Sequence, residues 1–122
     1  MSTEYTINQL ELDEPFAVLE ARGRFDLRAV WNLQLMCESL YTQGYSFIVV
    51  QMSGVTFIAS SGAATLVNMT YNILARDGLF QIAAVSGPVM KVIDMLDSRQ
   101  FLNITADVDE ARAKLGTLSP LE

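Results

Sequence analysis

The sequence predicts an α/β fold with a mixed, mainly parallel sheet of five strands and four helices. After the first two strands, apolar segments with strand character alternate with segments of helical periodicity, an order typical of parallel strands joined by right-handed crossovers. Only Asp13, Glu14 and Pro15 separate the first two strand-like segments, and so short a connection favours an antiparallel hairpin. The length of 122 residues suits one domain, and no repeat, linker or low-complexity segment divides it. We therefore expect a single domain over residues 1–122, with its core at about residues 5–115.

The chain opens with the hairpin and the first helix. Residues 5–12 alternate loosely between apolar and polar, residues 16–21 are apolar enough for a second strand, and residues 23–25 are expected to form a turn. Asp26 is a favoured N-cap because its carboxylate can accept hydrogen bonds from free amides of the first turn. Gly44 suits the position just beyond the helix end. The inward stripe of this helix comprises Val30, Leu33, Cys37, Leu40 and Tyr41.

A buried strand and a second helix follow. Residues 45–52 are β-branched and aromatic enough for a strand that is buried on both faces. After a brief connector, a helix is expected to start at Ser60 or Ser61 and to end near Arg76. Residues 79–85 are expected to form the fourth strand. The inward stripe of the second helix comprises Leu66, Met69, Thr70, Ile73 and Leu74.

The remaining elements are shorter. Pro88 suits the first turn of a third helix, because the N–H that it lacks would have no helical partner there. Residues 101–104 are expected to form a short fifth strand. A fourth helix opens at Asp107, with Glu110 three residues on as a variant of the capping box, and a tail is expected from residue 116. Buried positions are expected at Phe47, Val49, Leu66, Ile73, Ile82, Ala84, Val92 and Ile93.

Composition excludes several classes of function. The chain has no histidine, so Ser-His-Asp catalysis, Cys-His catalysis and histidine-based zinc sites are impossible; no catalytic residue, metal or cofactor is predicted. The single cysteine, Cys37, excludes an internal disulfide. The net charge of −6 opposes nonspecific binding to nucleic acid or to anionic membrane. No apolar run approaches the roughly 18 residues of a membrane span. The first residues do not read as a secretory signal, so a cytoplasmic protein is expected.

Two serines and a glycine open the second helix. Helix capping explains Ser60 and Ser61 without any function, because serine is a favoured N-cap, and Ser61 is the better placed of the two. Alternatively, the free amides and the macrodipole of the helix start favour a phosphate, which a serine there could bind or carry covalently. No lysine accompanies these residues, which excludes a nucleotide P-loop.

Small and apolar residues also lie outside the inward stripe of the second helix. They are Ala63, Ala64, Val67 and Tyr71. Such residues indicate either crowding against a neighbouring element or a flat surface for docking. The residues alone leave both interpretations open.

Two motifs carry a resemblance to a known family: Gly-x-Phe-Asp at residues 23–26 and Val-x-Phe-Ile-Ala-Ser-Ser-Gly at residues 55–62. Together with the order of elements, they resemble a STAS domain, and more narrowly the bacterial anti-sigma factor antagonists. In that family an Asp-Ser-Ser/Thr-Gly tetrapeptide opens this helix, and a partner that is both kinase and anti-sigma factor phosphorylates its first serine. The resemblance implies phosphorylation of Ser60, with Ser61 as second choice, while Ala59 stands where the family has aspartate. It places partner binding at Asp26, Ala59, Ser60, Ser61, Gly62, Ala63 and Val67.

The resemblance implies a protein that is a ligand and a substrate, not an enzyme. It would bind an anti-sigma factor with serine kinase activity and release a sigma factor, switched by phosphorylation of Ser60, and a phosphoserine phosphatase is a further partner of such a cycle. One alternative is a constitutive STAS-type scaffold subunit of a larger assembly that is never phosphorylated, which Ala59 favours. Another is a sensor that binds a small ligand or nucleotide at the start of the second helix.

Overall fold

The predicted fold class is confirmed. The structure, a computed structural model, describes residues 4–118, so both ends of the expected domain lie outside the described residues. The strands are β1 (Tyr5–Asp13), β2 (Phe16–Phe25), β3 (Phe47–Ile58), β4 (Leu79–Ala83) and β5 (Ile104–Thr105). The helices are α1 (Leu27–Thr42), α2 (Ser60–Ala75), α3 (Gly87–Met95) and α4 (Val108–Leu118), with a 3₁₀ turn at Arg99–Phe101.

The five strands form one sheet in the order β1-β2-β3-β4-β5. β1 pairs antiparallel with β2, and every other neighbouring pair is parallel, as the alternation of elements predicted. The main core lies between the sheet and helices α1, α2 and α3, and a smaller cluster around Val18, Val49 and Ala111 lies under α4 on the opposite face. Between residues 4 and 118, no helix combines the length and the apolar character that crossing a bilayer requires.

β2 and β3 are longer than predicted and end side by side. The turn expected at residues 23–25 and the connector expected after residue 52 are both strand, and Gly23 pairs with Val55. Gly23 has φ +93°, and a Cβ there would collide with the backbone oxygen of Glu4, the residue before β1, so only glycine fits. Glycine is a turn signal in sequence, whereas here it lets a crowded strand continue.

Capping residues, glycine and proline in the sequence correctly predicted the helix ends described here. Asp26 caps α1 as predicted, because its Oδ1 accepts from the Ala29 amide at 3.0 Å, and Gly44 follows the helix with φ +106°. Pro88 lies in the first turn of α3. At α4, Asp107 Oδ1 accepts from the amide of Glu110 at 2.8 Å, while Glu110 Oε1 accepts from the amide of the residue before Asp107. The predicted capping box is therefore present, except that the second hydrogen bond comes from the amide of the residue before the N-cap and not from the N-cap itself.

Three other boundaries were predicted wrongly. β4 ends at Ala83, because Ala84 adopts φ +52° and leaves the strand. Residues 99–101 form a 3₁₀ turn, so β5 is reduced to Ile104–Thr105. α4 continues to Leu118 through the expected tail. Burial is confirmed for Val49, Leu66, Ile73, Ile82 and Ile93, whereas Phe47, Ala84 and Val92 are half-buried.

Candidate functional site

The first turns of α1 and α2 lie at the same edge of the sheet. Phe25 and Ile58, the last residues of β2 and β3, are register partners, and each strand runs directly into a helix. The Ala59 amide donates to the Phe25 carbonyl at 3.1 Å, which ties the start of α2 to the end of β2. Asp26 and Ala59 are therefore the residues that turn the chain from strand to helix at this edge.

Close packing fixes how α2 begins. A Cβ at Gly62 would lie 2.8 Å from Val30 Cγ2, so the first turn of α2 passes α1 at a distance that excludes a side chain. Gly62 and Ala63 are both buried, Ala63 completely. The partner contact predicted for Gly62 and Ala63 stays a prediction, which the burial of both residues in the free chain does not favour. Asp26, Ser60 and Ser61 are exposed, and Ala59 and Val67 are half-buried.

Neither serine caps α2. The N-cap is Ala59, which has no side-chain oxygen, and the helix begins at Ser60. Ser61 is then the second helical residue, so the expectation that it caps the helix is wrong. The amides of the first turn have no acceptor within the helix, and α2 carries no acidic residue there. The capping interpretation therefore explains neither hydroxyl.

An exposed seam runs along α2 from Ser60. Ala64, Val67, Tyr71 and Leu74 follow it at intervals of four, three, four and three residues, which places all five within about 80° around the helix axis. Leu74 was predicted to face inward, but it is 54% exposed, and Tyr71 is 50% exposed. We call these residues, Ser60, Ala64, Val67, Tyr71 and Leu74, the α2 seam.

One neighbour extends the α2 seam beyond the helix. Phe101, which was predicted to begin β5, is exposed in the 3₁₀ turn, and its ring meets the edge of the Tyr71 ring with centroids 6.4 Å apart. Because residues 101–104 were predicted to form a strand, the exposure of Phe101 was not expected. The 4-3-4-3 spacing from Ser60 is a sequence signal that could have shown the α2 seam itself.

The charges near the site are sparse and partly basic. Arg28 is exposed in the first turn of α1. Arg24 extends from the end of β2, and its guanidinium carbon lies 3.9 Å from the centroid of the Phe57 ring, a cation–π geometry. Asp26 uses Oδ1 for the cap and is exposed. A phosphate on Ser60 would thus meet the positive end of a helix dipole and no carboxylate from the same turn.

Cys37 takes no part in this surface. It lies on the inward face of α1 and is 1% exposed, as expected. Burial, with a smaller contribution from the neighbouring Glu38 carboxylate, raises the pKa of the Cys37 thiol far above its usual value. The thiol therefore stays protonated and unreactive at neutral pH.

The assignment of the caps can be tested with two substitutions. Asp26→Ala should lower the free energy of unfolding by about 0.5–2 kcal/mol, because the Ala29 amide loses its acceptor. Ser61→Ala should change the free energy of unfolding by less than about 0.5 kcal/mol, because an exposed, non-capping hydroxyl is removed. Urea unfolding measures both values. Equal losses in the two variants would contradict the assignment.

Comparisons with known proteins agree with this fold. A family model described as STAS domain matches residues 8–111. A search of curated proteins by sequence found no match. The anti-sigma factor antagonist SpoIIAA, in its unphosphorylated form, superposes with a TM-score of 0.75 at 17% identity, covering 94% of this chain and 100% of its own. SpoIIAA from Bacillus in the phosphorylated form gives 0.68 at 16% identity, with coverages of 90% and 99%.

Two further solved structures share the fold. An anti-sigma factor antagonist from Mycobacterium paratuberculosis has a TM-score of 0.72 at 20% identity, covering 89% of this chain and 93% of its own. SLC26A9 has a TM-score of 0.67 at 10% identity over 88% of this chain, but the match takes up only 20% of SLC26A9. At these identities the likeness establishes the fold alone.

Proposed function

This chain belongs to the STAS domain family, and we propose that it acts as an anti-sigma factor antagonist. In its unphosphorylated form it binds an anti-sigma factor that has serine kinase activity, and the bound anti-sigma factor releases its sigma factor. The same partner phosphorylates Ser60 and so ends the interaction, and a phosphoserine phosphatase restores the first state. The chain is the ligand and the substrate in this cycle, and the partner supplies the catalysis.

The position of Ser60 carries the proposal. Ser60 is exposed, its hydroxyl does not cap α2, and it is the first residue of the α2 seam. A kinase needs an accessible hydroxyl, and a binding surface needs exposed apolar area, so one surface serves both steps. Ser61 is also exposed but lies about 100° around the helix from Ser60, which places it beside the α2 seam.

A phosphate on Ser60 affects the free chain and the complex in opposite ways. It would add a charge of about −1.5 to −2 at the first residue of α2, where the free amides and the helix dipole stabilise an anion. The fold should therefore tolerate the modification. In the complex, the same group would lie where two apolar surfaces approach, and its desolvation opposes binding.

Ala59 changes what the partner meets at this edge. The family aspartate would place a carboxylate directly before Ser60, whereas alanine presents a methyl group. Asp26, one residue beyond the neighbouring strand, then supplies an exposed carboxylate at the same edge. We propose that the partner recognises Asp26 together with the seam residues near Ser60.

Phosphopeptide mass spectrometry of the chain isolated from the cells that make it tests this function. We expect a fraction of the protein to carry phosphate on Ser60. Ser60→Ala should remove the phosphopeptide, and the matched variant Ser61→Ala should retain it. Absence of phosphate in wild type, or its loss in Ser61→Ala alone, would contradict the proposed switch.

A constitutive scaffold is the second candidate. Two observations favour it: Ala59 in place of the family aspartate, and the STAS-like fold that forms a fifth of SLC26A9. A scaffold would bind its assembly through the same α2 seam without modification of Ser60. It predicts that the chain co-purifies with its partners in every growth state. It also predicts that the phosphopeptide mass spectrometry finds no phosphate on Ser60.

A further inference from the structure

α1 carries a second exposed apolar surface, separate from the α2 seam. Leu27, Trp31 and Leu35 are 43%, 61% and 66% exposed, and they recur every four residues. They point away from the core, which α1 meets through Val30, Leu33, Cys37 and Leu40. A shallow groove of about 290 Å³ lies along the first two of them. We call Leu27, Trp31 and Leu35 the α1 stripe.

The α1 stripe is symmetric about its central residue. At about 1.5 Å of rise per residue, two leucines lie roughly 6 Å on either side of Trp31 along the helix. A copy of the helix placed antiparallel would therefore set Leu27 against Leu35 of the other copy and Trp31 against Trp31. A two-fold interface requires this self-complementarity. We propose that the α1 stripe is the contact surface of a homodimer with a two-fold axis at Trp31.

Charge supports a second copy in the antiparallel orientation. Arg28 lies between the first two residues of the α1 stripe and Glu38 lies three residues beyond its last, and residues 29–37 carry no charge. Antiparallel pairing brings Arg28 of each copy towards Glu38 of the other, whereas parallel pairing would set like charges together. Two hydrogen bonds from Arg76, at 3.1 and 2.8 Å, hold Glu38 in place. Because residues 29–37 carry no charge, the middle of the contact contains no like charges that would repel each other.

The size of the α1 stripe indicates a weak dimer. Each copy contributes three large apolar side chains, fewer than a permanent interface usually has. Tryptophan at the centre of such a contact commonly carries a large share of the binding energy. We therefore expect a dimer that forms and dissociates with concentration. This inference is independent of the phosphorylation of Ser60.

Sedimentation velocity over a range of concentrations tests the dimer. The wild-type chain should shift from monomer to dimer, and Leu35→Glu should raise the dissociation constant at least tenfold. Leu74→Glu, at a leucine on α2 that is 54% exposed against 66% for Leu35, should leave the constant unchanged. Trp31 is the only tryptophan, so its fluorescence emission should shift to shorter wavelength over the same concentration range. A chain that stays monomeric up to about 1 mM overturns the proposal, as does a dimer that Leu74→Glu breaks and Leu35→Glu does not.

Disulfide trapping tests the position of the axis. A mixture of Leu27→Cys and Leu35→Cys chains should form a mixed disulfide under mild oxidation, because residue 27 of one copy lies against residue 35 of the other and Trp31 is kept. Ser39→Cys should not form a disulfide, because two copies of residue 39 would lie about 24 Å apart along the paired helices. The native Cys37 is buried and does not compete. Equal trapping of Ser39→Cys, or none between residues 27 and 35, overturns the proposal; circular dichroism confirms that each variant is folded.

Discussion

Replacing Ile73 with alanine should lower the free energy of unfolding by about 2–5 kcal/mol, the usual range for a buried isoleucine. Ile73 is 2% exposed and lies on the inward face of α2. A Cβ at Gly78 would come within 2.8 Å of Ile73 Cγ2 and 3.1 Å of Tyr41, which shows how little free space surrounds the side chain. Hydrogen bonds from the amides of Arg76 and Gly78 to the Ile73 carbonyl hold the backbone. The surroundings cannot collapse easily, so the cavity should persist.

The next residue provides a matched control. Leu74 differs from Ile73 only in branching, yet it is 54% exposed. Leu74→Ala should therefore cost less than about 1 kcal/mol, since little apolar surface returns to water. Urea unfolding of both variants measures the difference. The slope of the unfolding free energy against urea concentration should be the same as in wild type. Similar losses would mean that the inward face of α2 is assigned wrongly.

Signals contained within one segment of the chain predicted most of the fold. Asp26 and the Asp107–Glu110 pair each bond to amides no more than four residues away, so their roles can be recognised without tertiary information. The alternation of strands and helices then implies a parallel sheet by the handedness of the crossover. Helix positions and topology followed from these two kinds of signal.

Contacts between distant segments account for what the sequence did not predict. The ends of β2 and β3 are held by pairs such as Gly23 with Val55, which are 32 residues apart and include a residue that usually marks a turn. The burial of Gly62 depends on Val30 of another helix. The start of α2 depends on the bond from Ala59 to Phe25, and no capping side chain marks it. These contacts decide which of residues 59–63 are exposed, so their exposure could not be predicted from the sequence alone.

Introducing a carboxylate at Ser60 should weaken binding to the anti-sigma factor at least about a hundredfold, which corresponds to about 2.7 kcal/mol. Ser60 heads the α2 seam, and the next residue along it, Ala64, is small, so a partner can approach the backbone closely. In the complex, the Ser60→Asp carboxylate would be buried without a partner or would hold the surfaces apart. Burial of an unpaired charge costs several kcal/mol, more than the expected loss. The fold itself should tolerate the change, because an acidic residue in the first helical turn is favourable.

Titration calorimetry against the cognate anti-sigma factor separates this effect from a general effect of charge. Ser60→Ala keeps the surface small and uncharged, so it should bind nearly as tightly as wild type. Ser61→Asp places the same charge one residue on, about 100° around the helix from Ser60, and should lose less than about tenfold. A large loss in Ser61→Asp equal to that in Ser60→Asp would indicate long-range repulsion, not contact at the seam. If Ser60→Asp binds as tightly as wild type, phosphorylation of Ser60 cannot switch the interaction, and constitutive docking as a scaffold becomes the better account of this surface.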